Sequence, residues 1–261
     1  MSQALWIAKT GLEAMQTRMA VITNNLANVN TAGYKRGRPV FADLLYQNVR
    51  QVGAQSAQNS LLPTGLSLGT GVKTVATEKV FTQGNTMETG NPLDIAVQGK
   101  GFFQILMPDG TIAYSRNGSF HLNESGQMVT SGGLALQPAI TIPSDAQNIT
   151  IGYDGTVSVT LPGQATPSQV GTIQLADFVN PSGLQPIGDN LYLESAASGT
   201  PQTGNPGQGG LGNLLQGNLE TSNVNVVESL VNMIETQRSY EMVSKAIQAT
   251  DRMLEYVNNN I

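Results

Sequence analysis

The strongest constraint on this chain lies at its two ends. Near the N-terminus, apolar residues fall at Leu5, Ala8, Leu12, Met15, Met19, Ile22 and Leu26. The spacing alternates three and four without a miss. That is an a/d seam over three heptads, and it commits the segment to a helix packed along one stripe. A second apolar row runs through Ile7, Ala14 and Val21, with Trp6 and Ala20 beside it. A helix in a two-helix hairpin needs one stripe only, so the second row asks for another partner. Gly11 costs about 1 kcal/mol inside such a helix. Asn28-Val29-Asn30-Thr31-Ala32-Gly33 then supplies turn formers and a glycine suited to positive φ.

The C-terminus has the same character. Asn225 followed three residues later by Glu228 resembles a capping box. One row then runs through Leu230, Met233, Tyr240, Ile247 and Leu254, and an adjacent one through Val231, Ile234, Met242, Ala246, Ala249, Met253 and Val257. Together they make an apolar arc wider than a single seam. At about 1.5 Å per residue, helices of about 24 and about 32 residues would be roughly 36 and 48 Å long. If the two pair, the longer one overhangs and exposes apolar side chains.

The middle of the chain reads as strands. Leu93, Ile95 and Val97 alternate, and Phe102-Phe103-Gln104-Ile105-Leu106 follows. Turn signals at Pro108-Asp109-Gly110, Asn123-Glu124-Ser125-Gly126 and Tyr153-Asp154-Gly155 separate short β-prone runs. The sequence therefore predicts an α+β fold. Residues 1–30 and 222–261 form paired terminal coiled-coil helices. Residues 76–195 form an antiparallel β-rich domain, barrel- or sandwich-like. Residues 31–75 and 196–221 are extended connectors, because 46–70 and 196–218 are rich in Gly, Gln, Ser and Pro without periodicity.

Composition narrows the function. Charged residues make up 12% of the chain, against roughly a quarter in ordinary soluble domains. Such a surface lets like subunits pack with little repulsion. The net charge is −5, and the only basic cluster is Tyr34-Lys35-Arg36-Gly37-Arg38, so nucleic-acid binding is not expected. No apolar run approaches the roughly 20 residues of a membrane span. There is no cysteine and a single histidine, His121, read as a structural or surface residue, so no transition-metal site and no cofactor are expected. The N-terminus carries no pattern of a cleaved secretory signal.

Two motifs imitate chemistry. Gly65-Leu66-Ser67-Leu68-Gly69 has the G-x-S-x-G form, with Asp94 and His121 following in hydrolase order, but its flanks do not make a strand-to-helix elbow. Gly207-Gln208-Gly209-Gly210-Leu211-Gly212 has the G-x-G-x-x-G form without the strand and helix a dinucleotide site needs. Catalytic residues are therefore not expected.

Four long stretches carry a family resemblance. They are Thr23–Arg36, Asn91–Phe103, Tyr114–Phe120 and Gln216–Glu241. In them the chain resembles the bacterial flagellar rod and hook family, over essentially its whole length. Its length and the segment Leu5–Leu12 look most like the distal-rod members, as does Tyr46–Pro63. Ala32 departs from the proline of many members, though a turn survives that change.

The resemblance implies a structural subunit of a stiff helical tube, a homopolymer with proximal rod and hook proteins at its ends. The peptidoglycan-level and outer-membrane-level rings (P and L) would serve as its bushing. It also implies a basal-body, periplasm-spanning location reached by type III export. It assigns one stripe to pairing within a subunit: Leu5, Leu12, Met15, Met19, Ile22 and Leu26 against Leu230, Met233, Tyr240, Ile247 and Leu254. The other stripe, Ile7, Ala14, Val21, Val231, Met242 and Met253, would pack neighbouring subunits. Residues 46–63, marked by Tyr46, Arg50, Gln55 and Pro63, would form an arm that resists bending, with a plain linker as the alternative. A proximal rod or hook subunit shares this fold. From another class, a β-rich carbohydrate-binding or adhesin module is disfavoured by an aromatic content of 5%.

Overall fold

The structure is a computed structural model; it describes residues 3–53, 55–57, 60–61, 64–164 and 166–259, without the side chains of 55–57, 60–61, 254 and 257–259. The chain divides into two compact units. The first comprises Met1–Leu26, Gly37–Glu78 and Val226–Ile261, and the second Ala27–Arg36 and Lys79–Asn225.

The first unit holds the two helices, α1 (Gln3–Ala27) and α2 (Val226–Asn259). They have 25 and 34 residues. Helix α1 runs into the Asn28–Gly33 turn, and α2 begins directly after Asn225 with Glu228 in its first turn, where a carboxylate complements the helix dipole. The face of α1 that is fully buried runs through Thr10, Ala14, Ile22 and Asn25. Its polar members are anchored. Thr10 Oγ donates to the Ile7 carbonyl at 2.9 Å and accepts from Val72 N at 3.4 Å. Gly71 makes this approach possible, because a Cβ there would lie 2.2 Å from Thr10 Oγ. Asn25 grips Gly37 twice, accepting from its N–H at 2.7 Å and donating to its carbonyl at 2.8 Å. Among the described residues, an ion pair from Arg18 to Glu235 at 3.6 Å joins the two helices.

The described residues from 37 to 75 are where the fold departs most from the connector expected over 31–75. Instead of an extended connector they form paired strands. Gly37–Asp43 pairs with Val72–Lys79, and Arg38 is bound to Glu78 across the pair. Gln47–Arg50 pairs antiparallel with Leu66–Leu68, and Gln55–Ala57 with Ser60–Leu61. The described strand pairs, taken together, make a ribbon. Its residues lack alternation in hydropathy because neither face of the ribbon is buried: Leu45, Tyr46, Val49, Val52, Leu66 and Leu68 are all exposed.

The second unit is antiparallel throughout its mapped pairings. A nine-stranded sheet follows the path Phe120–Leu122, Met128–Thr130, Ala135–Gln137, Phe102–Leu106, Ile112–Ser115, Leu191–Leu193, Gln185–Gly188. Leu175–Asp177 joins it by pairing both Phe102–Phe103 and Gln202–Gly204. A three-stranded sheet (Asn148–Ile151, Thr156–Thr160, Ser168–Thr172) and two short pairs complete it. In those pairs Ile95–Gln98 lies against Asn213–Gln216, and Thr86–Glu88 against Asn218–Glu220. The described strands form open sheets and no closed barrel, because the long path ends in two unclosed edges. The stretch 196–221, anticipated as connector, contributes three strands to this unit.

The three anticipated turns stand where they were placed. At two of them the same chemistry recurs: Asp109 and Asp154 each accept from the backbone N–H and the hydroxyl of the Thr two residues on. The pleat divides the core. Phe103 and Ile105 face the main apolar core with Ile95, Phe120, Leu136, Val157 and Leu175. Phe102 faces a second, aromatic cluster with Tyr114, Phe178, Tyr192 and Phe81, packed edge to face.

Candidate functional site

Two features stand out: a buried ionic junction in the second unit, and uncovered apolar faces in the first. The junction is built from three distant segments. Lys35 follows the Asn28–Gly33 turn. Gly33, at φ 71°, lets that turn close onto the β domain, for a Cβ there would lie 2.6 Å from Asn117 N. The Lys35 side chain is 0% exposed and donates to Glu220 Oε1 at 2.6 Å and to the Thr82 carbonyl at 2.8 Å. Glu220, also 0% exposed, accepts a backbone N–H from Gly84 at 2.8 Å. Its other oxygen lies 3.4 Å from Arg116 Nη1, while Arg116 Nη2 donates to the Gly99 carbonyl at 2.7 Å. The Arg116 guanidinium stands 5.2 Å above the Phe102 ring.

Burial pulls the Lys35 ammonium below the usual lysine range, against the opposing attraction of Glu220. Arg116 is lowered by burial in the same way, with Glu220 and Asp177 opposing. At the rim, Lys79 lies 4.4 Å over the Tyr34 ring and donates to the Lys35 carbonyl at 3.1 Å. Asn223 completes the knot: its Oδ1 accepts from Arg36 N at 2.8 Å, and its Nδ2 donates to the carbonyls of Val80 at 2.8 Å and Thr82 at 3.0 Å.

The helix residues singled out by periodicity fall into three groups. Ile22 is buried, and Leu5, Leu12, Met15, Met19, Leu26, Met233 and Ile247 are half-covered. Leu230 and Tyr240 are exposed, and the side chain of Leu254 lies outside the described residues. Among those assigned to neighbours, Val231, Met242 and Met253 are 59%, 64% and 66% exposed, and Ile7 is exposed too. Ala14 is 4% exposed within its own unit, which leaves almost nothing of it for a neighbour. Val21 is half-covered, beside Gly37. The covered stripe of α2 runs through Ser229, Asn232, Met233, Thr236, Ser239, Val243, Ile247 and Thr250. It mixes Met233, Val243 and Ile247 with hydroxyl and amide residues, Thr236 donating to the Asn232 carbonyl at 2.6 Å, and much of the apolar arc lies outside it. Val227, Ile234 and Tyr256 extend that exposed arc.

On the ribbon, Tyr46 and Arg50 are exposed; Gln55 lies in a strand, and Pro63 is outside the described residues. Ser67 sits in the Leu66–Leu68 strand and donates to Asn48 Oδ1 at 2.7 Å, so the G-x-S-x-G stretch is part of a hairpin. Asp94 accepts from Thr89 and Asn91, and His121 contacts Ser131. Gly207–Gly212 is a turn between the strands Gln202–Gly204 and Asn213–Gln216. No helix is long and apolar enough to cross a membrane among the described residues.

What sequence reasoning missed is the junction. Lys35 was legible only as part of a surface-like basic run, since its partner Glu220 lies 185 residues away.

Three family models match the chain. Residues 5–35 match the flagella basal body rod protein model, and 96–159 match the D1 domain of the flagellar hook protein FlgE/F/G. Residues 215–260 match the C-terminal model of flagellar basal body rod FlgEFG proteins. Each matched segment supplies one member of the ionic junction: Lys35, Arg116 and Glu220 respectively. Among full-length relatives, the chain is 54% identical to the flagellar basal-body rod protein FlgG of Buchnera aphidicola subsp. Schizaphis graminum, over 98% of each chain. It is 48% identical to that of Caulobacter vibrioides over 97% of each, and 37% identical to that of Bacillus subtilis over 99% of each.

Proposed function

The chain belongs to the flagellar basal-body rod protein family, and from that premise we propose that it is a distal-rod subunit. It is a structural protein, not an enzyme. It polymerises through its terminal helices into a stiff tube that carries torque from motor to hook. Proximal rod and hook proteins cap the tube, and the ring proteins surround it where it crosses the periplasm. Within the subunit, α1 and α2 pair as a coiled coil, the Leu5–Leu26 row of α1 lying against the α2 stripe that includes Met233 and Ile247, with Leu230 and Tyr240 left outside it.

The observation that carries this reading is the exposed arc of α2. Val231, Ile234, Met242 and Met253 are left in water by their own chain. Covering one such side chain is worth about 1.5–3 kcal/mol, and heterologous covering by a like subunit generates an open helical polymer. The exposed ribbon supports the stiffness role of residues 46–63, since an isolated two-stranded hairpin is marginal in water and gains from lying against a neighbour.

The test is Val231→Asp combined with Met242→Asp. Both positions are exposed, so the monomer keeps its fold, and electron microscopy at concentrations where the parent forms tubes finds none. Tubes of normal appearance from this variant would sink the reading. Ile7→Asp serves as the matching change on α1, whereas Val21→Asp would also disturb the Gly37 contact inside the unit.

A further inference from the structure

We propose that the Gly33–Arg36 and Glu220–Asn223 segments form a force-bearing clamp, loaded in shear when the chain is pulled by its ends. The two segments run in the same direction. Gly33 N donates to the Glu220 carbonyl at 2.8 Å, and Asn223 N to the Tyr34 carbonyl at 3.5 Å. Arg36 N donates to Asn223 Oδ1 at 2.8 Å, so residue numbers rise together along both. The Lys79–Glu88 stretch runs opposite to both and laces them. Val80 N donates to the Arg36 carbonyl at 2.9 Å, Thr221 N donates to the Asn85 carbonyl at 2.7 Å, and Glu220 pairs with Thr86. The Lys35–Glu220 ion pair, at 2.6 Å, staples the middle out of contact with water.

The direction of load follows from the chain path. The second unit is entered at Ala27 and left for the last time at Asn225. Tension at these points pulls the N-terminal side of one segment against the C-terminal side of a parallel one. The two can part only by sliding, and sliding breaks their bonds together. Antiparallel segments under the same pull would unzip one bond at a time. Burial adds to the resistance, because a donor or acceptor freed inside the unit finds no water to replace its partner. The clamp is a property of the single chain; its use, keeping the unit closed in a polymer under load, rests on the rod reading.

The chain has no cysteine, so introduced cysteine pairs give unique handles for single-molecule pulling on the full-length protein. Asn30→Cys with Asn225→Cys loads the clamp. Glu124→Cys with Asp145→Cys, both exposed, loads the same unit without it. Forced unfolding reports the unfolding barrier along the pulled axis. The 30–225 axis is expected to need the higher force. Asn223→Ala removes the side chain that holds Arg36, Val80 and Thr82, and lowers the force along 30–225 while leaving 124–145 unchanged. Glu220→Gln does the same more strongly; should it fail to fold, Asn223→Ala carries the test. Equal forces on the two axes of the parent, or an equal proportional loss on both axes of the variant, would overturn the clamp. Failure of the rod reading is seen separately, in the absence of tubes.

Discussion

Lys35, Arg116 and Glu220 put two cations and one anion where water does not reach. Removing one partner strands the other. Lys35→Ala or Glu220→Ala is therefore expected to cost about 3–5 kcal/mol of stability, the range for breaking a buried pair, measured by denaturant unfolding. A loss under about 1 kcal/mol, the range of surface pairs, would show that the junction is solvated. Tyr34, Tyr114 and Tyr192 give the pH dependence. Burial raises all three above the ordinary tyrosine value of 10.0. A group raised in the folded state contributes stability that is whole below its unfolded value and is lost as pH climbs past it. Lys35 and Lys79, lowered by burial from 10.5, act oppositely: their share grows as pH rises toward that value. The melting temperature should hold up to about pH 10 and fall steeply above it, and Tyr192→Phe should blunt the fall. At this scale little was legible in advance. Nothing near Lys35 in sequence distinguishes a buried ammonium from a solvated one.

Among the elements, the helices and turns were the most readable and the ribbon the least. Periodicity found α1 and α2 because their patterns repeat over many turns. It did not find the polar members of the covered faces, Thr10, Asn25 and Thr236, whose hydrogen bonds are met by backbone carbonyls, and it put Leu230 and Tyr240, which are exposed, on the seam. The Asp109 and Asp154 turns were readable because turn chemistry is local. The ribbon from 47 to 68 escaped because strands exposed on both faces carry no alternation to detect. Deleting residues 47–67 is expected to leave the monomer's stability within about 1 kcal/mol, as for other surface changes. The polymer formed by that variant is expected to bend. Cryo-electron micrographs comparing tube curvature decide the point, and straight tubes would return this segment to the status of a linker.

Charge is divided unevenly over the molecule. The first unit carries eight Lys or Arg and eight Asp or Glu, the second five and ten, so the whole net charge of −5 belongs to the second. Three of the second unit's cations, Lys35, Lys79 and Arg116, are engaged at the junction. Its outward carboxylates thus repel those of a neighbour, while the helical unit is neutral. Added salt screens that repulsion over about 10 Å at 0.1 M. The concentration at which tubes form should then fall as salt is raised, read by light scattering; a rise would mean that ion pairs between subunits hold the tube together.

The chain path also fixes a sequence of events in time. Glu220 is made 185 residues after Lys35, and the helical unit lacks α2 until the residues beyond Asn225 are added. Closing so long a span is entropically costly and slow compared with local hairpins. The small β-hairpins can form as soon as their strands exist, but the contact that ties the two ends of the second unit waits for Glu220. Any product cut short before Glu220 is left with an ammonium that has no counter-ion and an N-terminal helix without its companion. The meeting of Lys35 and Glu220, rather than the folding of any one hairpin, is what closes the second unit.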